Sequence, residues 1–139
     1  MKLIKIFLIA LSAILCINVN YAQVSVIAHK NLSVKSIDKS TLKNLYELNS
    51  TEVGGTKVKL FTNDSNGDIN NKFYSLFGRS YLEIKKIWLK AKLTGNAIPP
   101  IGISSDDEII NKVSSTPGAI GFVRSSSVTG NVKVILEIK

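Results

Sequence analysis

Apolar residues change their spacing regularly along the chain, from alternating or continuous runs to every third or fourth position. Short runs of the first kind predict β-strands, and the helical spacing predicts amphipathic α-helices. The predicted strands are Val24–Ala28, Val58–Thr62, Ala119–Val123 and Val132–Ile138. Because strand and helix patterns alternate, we expect an α/β fold, a single three-layer domain with a mixed sheet of about four or five strands flanked by helices. The first strand alternates imperfectly, which favours burial on both faces.

Helical patterns fill the segments between these strands. They are bounded by Asp38 and Leu48, by Asp68 and Gly78, by Ser80 and Gly95, and by Ser105 and Pro117. Ser80 and Ser105 each begin a capping box, in which the serine oxygen accepts a backbone N–H three residues later. The segment Asn49–Thr56, which contains two adjacent glycines, is expected to be a loop, and Pro99–Pro100 is expected to break the chain.

The N-terminus has the layout of a secretory signal peptide. Lys2 and Lys5 precede the apolar stretch Ile6–Val19, which is shorter than the roughly 20 residues of a membrane-spanning helix. We expect residues 1–22 to be cleaved after Ala22, which leaves residues 23–139 as one domain, periplasmic or secreted from a bacterial envelope. A lipid anchor on Cys16 and an uncleaved anchor are the alternatives.

Composition narrows the chemistry of this domain. Cys16 is the only cysteine, so residues 23–139 have no disulfide and no thiolate metal site. Lys and Arg outnumber Asp and Glu by 18 to 10, and this balance favours anionic partners. The basic residues are scattered, with the pair Lys85-Lys86 as the longest run, so no nucleic-acid partner is expected.

Candidate catalytic groups are few. The one histidine, His29, has neither a nucleophile nor an orienting acid in a recognisable sequence context. The acids Asp106, Asp107 and Glu108 stand at a predicted helix start, where the macrodipole favours them without a metal ion. An enzyme is therefore the least favoured class, and no metal or cofactor is expected.

The segment Asn63–Asp68 is the strongest candidate for a binding site, because it joins a strand to a helix start. Unpaired N–H groups at a helix start suit an oxyanion. Ser65 supplies a hydroxyl, Gly67 allows a close approach of the backbone, and Asn66 and Asp68 complete the contact loop. Asp68 either accepts the proton of a monoprotonated phosphate or serves as the helix N-cap.

Two other helix starts, Ser40–Thr41 and Ser104–Ser105, are expected at the same sheet edge. Ligands of open α/β sheets bind beyond the strand ends, so Thr41 joins the candidate ligand-binding residues.

The order of these segments resembles the phosphate-type periplasmic substrate-binding proteins. The strongest similarity is the run Thr116-Pro117-Gly118-Ala119-Ile120-Gly121-Phe122, which resembles the return strand of that family. Weaker similarities are the helical residues 42–46, the Ser/Gly loop after residues 58–62 with Phe73 in the following helix, and Trp88 with Leu93-Thr94-Gly95.

This resemblance implies a single lobe of a type II periplasmic-binding-protein-like fold, similar to the second lobe of a receptor whose ligand cleft lies between two. It implies phosphate or another oxyanion as the ligand for an ABC-type transport system. A second chain, as in a homodimer, would have to complete the cleft, and an envelope or transporter protein is the other expected partner. The arginine that precedes the family's Ser-Gly-Thr loop is absent here, so the alternative is an envelope protein-interaction module that has lost small-ligand binding.

Overall fold

The computed structural model describes residues 23–65 and 67–139. The predicted signal segment 1–22, with Cys16, and residue Asn66 lie outside the described residues. The strands are β1 (Val24–Ala28), β2 (Glu52–Val53), β3 (Thr56–Lys57), β4 (Lys59–Asn63), β5 (Ile101–Ile103), β6 (Ala119–Arg124) and β7 (Lys133–Ile138). The α-helices are α1 (Lys39–Tyr46), α2 (Asp68–Ser75), α3 (Tyr81–Thr94) and α4 (Asp106–Ser115), and a 3-10 turn covers Ser125–Ser127.

All of the predicted strands and helices are present, with bounds that differ by a few residues at most. The serines of both capping boxes accept the predicted bonds, from Glu83 N to Ser80 and from Glu108 N to Ser105. Two features were not predicted. The expected loop Asn49–Thr56 contains most of the small β2–β3 hairpin, and β5 follows the proline pair directly.

Sheet topology places the carboxyl ends of three strands at one edge. The strand order is β5-β4-β6-β1-β7, which confirms a mixed sheet of five strands. β4 is parallel to both β5 and β6, whereas β1 is antiparallel to β6 and to β7. β1 is therefore internal, and it is buried along its whole length, as predicted.

An aromatic core fills the face of the sheet that α1, α2 and α3 cover. Phe73 of α2 stacks on Phe122 of β6 with ring centroids 3.8 Å apart. Tyr46 of α1 meets both rings edge-on, and its hydroxyl donates to the Phe61 carbonyl of β4 at 2.8 Å. Trp88 of α3 donates from Nε1 to the Tyr46 carbonyl at 2.8 Å. The two buried bonds tie α1 to β4 and α3 to α1. Burial raises the pKa of Tyr46 well above its ordinary value.

Of the helices in residues 23–65 and 67–139, α4 covers the opposite face, over a smaller core that is mostly aliphatic. Gly118 and Gly121 allow close packing at β6, the first against the chain at Lys57 and the second against α4. A Cβ on Gly121 would lie 3.0 Å from Ile109 and 3.3 Å from Val113, and Gly118, at φ +77°, would meet the Lys57 carbonyl at 2.8 Å. The absence of side chains at these two positions thus allows the close packing. Among the described residues, no helix is both long enough and apolar enough to cross a membrane.

Candidate functional site

An open polar pocket of about 370 Å³ lies where β4, β5 and β6 end. Its lining residues are Asn63, Ser65, Ser104, Ser105, Asp106, Asp107, Arg124 and Ser127. Asn63 and Arg124 are the last residues of β4 and β6, and Ser104 follows β5. The carboxyl ends of parallel strands are the place where open α/β sheets bind ligands, so this polar pocket is the candidate site.

Asp106, the first residue of α4, organises one wall of the pocket. Its Oδ2 accepts bonds from the Arg124 backbone N–H at 3.1 Å, from Arg124 Nη1 at 3.3 Å and from the Ser127 hydroxyl at 2.9 Å. The Asp106 side chain is only 9% exposed, whereas that of Arg124 is 43% exposed. The other oxygen, Oδ1, is buried and has no hydrogen-bond partner. The wall therefore combines a solvent-facing guanidinium with a buried acceptor that is still unsatisfied.

The β4–α2 corner is closed by its own hydrogen bonds. Asn63 Oδ1 accepts from both the backbone N–H and the hydroxyl of Ser65, at 2.8 and 2.5 Å. Asn70 of α2 donates from Nδ2 to the carbonyls of Asn63 and Ser65, and the Tyr81 hydroxyl also donates to the Asn63 carbonyl at 3.2 Å. The donors of Ser65 are consequently engaged within the loop.

Tyr81 is suited to this role because it remains protonated. Its partial burial, and secondly the nearby Asp64 carboxylate, raise the pKa of Tyr81 above its ordinary value. The phenol is thus a donor over the whole neutral range, and it ties the start of α3 to the end of β4.

The residues singled out in the sequence are distributed over several places. Ser65 lines the polar pocket, together with Ser104 and Ser105. Gly67 lines a separate cavity, beside Tyr81 and Lys85.

Asp68 is exposed at the first position of α2. Its expected role as the N-cap was wrong: Gly67 holds that position, without a side-chain cap. The helix begins one residue earlier than predicted, because glycine also adopts the extended conformation of an N-cap residue.

Thr41 is absent from the lining of the polar pocket. Its backbone N–H donates to Asp38 Oδ1 at 2.7 Å, so a carboxylate already occupies this helix start. The bonds from Thr41 hold the pKa of Asp38 below its ordinary value. Asn66 lies outside the described residues.

Sequence reasoning missed Arg124. Its position could have indicated it, because Arg124 directly follows the predicted strand Ala119–Val123, at the end of the strand that faces the site. His29 lies at the end of β1, where its Nδ1 accepts the Asn31 backbone N–H in a turn at 3.1 Å. Within residues 23–65 and 67–139, no cluster of three or more His, Cys, Asp or Glu side chains is arranged to hold a metal ion.

Comparison with solved structures shows which proteins share this fold. An ABC-type phosphate transport receptor from Vibrio cholerae is 20% identical with a TM-score of 0.64, and the match covers 82% of this chain and 46% of that chain. A putative phosphate ABC transporter substrate-binding protein with bound phosphate from Clostridium perfringens is 19% identical with a TM-score of 0.67, covering 82% and 45%. PstS from Borrelia burgdorferi is 18% identical with a TM-score of 0.59, covering 82% and 47%.

The chain spans less than half the length of each of these proteins. No family model matches the chain, and no curated protein does. At these identities the likeness establishes the fold, and it confirms the resemblance and the fold class predicted from the sequence. The described chain has the fold of a single lobe of the phosphate-type substrate-binding proteins.

Proposed function

We propose that residues 23–139 form an exported solute-binding module of an ABC-type transport system, and that the polar pocket contacts a phosphate-like oxyanion. The observation that carries this proposal is the convergence of Arg124 and several serine hydroxyls at the carboxyl ends of three parallel strands. Two of the structural neighbours, a phosphate transport receptor and a substrate-binding protein with bound phosphate, support the choice of ligand.

The pocket offers complementary groups for a protonated oxyanion. The exposed part of the Arg124 guanidinium provides charge and planar donors. Ser104 and Ser105 add hydroxyls at the start of α4. The unsatisfied Oδ1 of Asp106 needs a donor, and monoprotonated phosphate carries one, whereas sulfate at neutral pH does not. Of the described members of the contact loop predicted from the sequence, Ser65 lines this pocket, whereas Gly67 and Asp68 do not.

Affinity on this wall alone is expected to be low. The pocket is open, and Asp106 and Asp107 add negative charge beside the ligand. Hydrogen bonds to an exposed anion compete with those from water, so we expect a Kd of about 1 mM or weaker, equivalent to about 4 kcal/mol. A second copy of the domain, or a transporter protein, would supply the opposite wall and exclude water.

Titration of isotope-labelled protein with phosphate, sulfate and a neutral sugar tests the proposal by NMR. We expect phosphate to shift the amide resonances of Ser104, Ser105 and Arg124, sulfate to do so less, and the sugar not at all. Arg124→Met should remove the phosphate response, and Lys30→Met, which deletes an equal charge at an exposed turn, should keep it. Equal shifts with all three solutes, or none, would contradict oxyanion binding.

A second candidate function, an envelope protein-interaction module, is favoured by one observation. Both donors of Ser65 are engaged by Asn63, which closes the corner where a ligand was expected. Under this alternative, phosphate leaves the spectrum unchanged, while the membrane subunits of a transporter co-purify with the domain. Co-purification that persists in Arg124→Met, together with a silent phosphate titration, would select it.

A further inference from the structure

Helix α3 carries a second apolar stripe on its solvent face. Leu82, Leu89 and Leu93 are 60%, 57% and 78% exposed. At 3.6 residues per turn these three positions fall within about 40° of one another around the helix. The buried residues Ile84 and Trp88 lie on the opposite side. We call this exposed stripe the leucine ridge.

Lysines border the leucine ridge on both sides. By the same helical geometry, Lys85 and Lys92 lie along one flank, and Lys86 and Lys90 lie along the other, each within about 80° of the centre of the ridge. All four are exposed, and Lys85 Nζ sits 4.6 Å from the centre of the Tyr81 ring. Glu83 is the one acidic residue in the sequence of the helix. The outer face of α3 is therefore an apolar line between two cationic rows.

The apolar surface continues beyond the end of the helix. Ile98 is 89% exposed, and it shares an open cavity with Lys92. It also borders an apolar cavity, of about 530 Å³, with Leu48 and Val58. The exposed apolar surface thus includes Ile98, beside Lys92, in addition to the leucine ridge.

We propose that this face of α3 rests on an anionic phospholipid bilayer surface. The leucines and Ile98 would enter the boundary between headgroups and acyl chains, as the apolar faces of interfacial helices do. The lysine stems would extend upward beside them and place their ammonium groups among the lipid phosphates. This proposal rests on α3 and does not depend on the polar pocket.

Charge and shape favour a bilayer over other occupants. A second copy packed ridge to ridge would bring lysine rows against lysine rows, and like charges at close range repel. A specific protein partner needs roughly 20–30 residues a side with matching shape, whereas the ridge is a single convex line. A bilayer adapts to a convex apolar line and supplies the negative charge that the four lysines require.

Vesicle sedimentation of residues 23–139, which contain every described strand and helix, tests this inference. Vesicles of phosphatidylcholine with phosphatidylglycerol should bind at least about tenfold more protein than vesicles of phosphatidylcholine alone, and added salt should weaken this binding. Replacing Leu82, Leu89 and Leu93 together by Gln should reduce binding to the level of neutral vesicles. Val134→Gln, an exposed apolar residue on β7, should not.

A charge test separates the lysine rows from the overall basic charge. The double variant Lys86→Gln with Lys90→Gln should lose most of the preference for anionic vesicles, and Lys30→Gln with Lys35→Gln should retain it. Thermal unfolding of each variant checks that the fold is intact. The proposal would be overturned if the triple leucine variant bound vesicles as well as the original protein, or if neither preferred vesicles with phosphatidylglycerol. An acidic protein would then be the better candidate partner for this face of α3.

Discussion

Two corners leave the same edge of the sheet, and they use their polar residues in different ways. At the β4–α2 corner, the side chains of Asn63 and Ser65 bond to each other, and the N-cap Gly67 provides no side-chain cap. At the β5–α4 corner, Ser105 caps its own helix, and Asp106 reaches across to the end of β6. The first corner is closed on itself, while the second builds a wall of the polar pocket.

The difference shows that residue type alone does not determine whether a donor is available. The β4–α2 corner has the serine and glycine that are typical of an oxyanion loop, yet the donors of Ser65 are satisfied locally. The β5–α4 corner is acidic, yet its aspartate positions the exposed guanidinium of Arg124. Whether a donor is available to a ligand depends on which acceptors of the protein lie within hydrogen-bond distance of it after folding.

Removal of the Asp106 carboxylate should have the largest effect. Asp106→Ala leaves the Arg124 backbone N–H and the Ser127 hydroxyl without their acceptor, and we expect a loss of about 3 kcal/mol in the free energy of unfolding. Asp107→Ala, at the exposed neighbouring position in the same turn, should cost less than about 1 kcal/mol. Urea denaturation followed by circular dichroism measures both, and equal losses would mean that the wall does not depend on Asp106.

Asn70 tests how far the β4–α2 corner depends on its internal bonds. Asn70→Ala removes the donor that holds the carbonyls of Asn63 and Ser65, at an expected cost of about 2 kcal/mol. Asn71→Ala, at an exposed position of the same helix, is the control. It raises the helix propensity by the same amount but leaves the bonds of Asn70 intact. The difference between the two unfolding free energies isolates the bonds. A difference near zero would show that the corner is held by other contacts.

The cap of α4 should have a smaller effect. Ser105→Ala removes the acceptor for the Glu108 backbone N–H, which should cost about 1 kcal/mol. Ser104→Ala, at the exposed preceding residue, should change the free energy of unfolding by less than about 0.5 kcal/mol. Thermal melts of the two variants make the comparison, and indistinguishable midpoints would refute the capping role.

Most of the secondary structure could be predicted because it depends on local patterns. The apolar spacing located β1, β4, β6 and β7, and serine caps located the starts of α3 and α4. β5 has only three residues, Ile101–Ile103, which is too short for a period to show. It is recognisable only from its pairing with β4, which local sequence does not encode.

The wall that Asp106 and Arg124 form could not be predicted for the same reason. Asp106 and Arg124 are 18 positions apart, and they meet only because α4 returns the chain to a strand that lies beside β4. The sequence indicated a polar strand-to-helix corner with the helix start Ser104–Ser105 at the same edge, and Ser65, Ser104 and Ser105 all line the pocket. Thr41 was assigned to the same edge from its helix start alone, without the sheet order that decides which residues reach the pocket.

Gly67→Ser should have the smallest effect on stability. It also distinguishes whether the anion binds at the β4–α2 corner or at the β5–α4 corner. Gly67 has φ −92°, which serine adopts freely, and the nearest atom to an added Cβ is the end of the Ser65 side chain at 3.4 Å. A serine there would cap α2 and should raise the free energy of unfolding by about 0.5 kcal/mol. Gly55→Ser, at φ +77°, should instead lower it by about 1 kcal/mol.

The new cap would also occupy backbone N–H groups at the start of α2. If phosphate contacts the β5–α4 corner and Arg124, as proposed, Gly67→Ser should leave the phosphate-induced NMR shifts unchanged. If the shifts disappear in Gly67→Ser and persist in Arg124→Met, the anion instead binds the start of α2. The closed corner would then be the binding corner, because a helix start can bind an anion through its backbone even when the neighbouring side chains are satisfied.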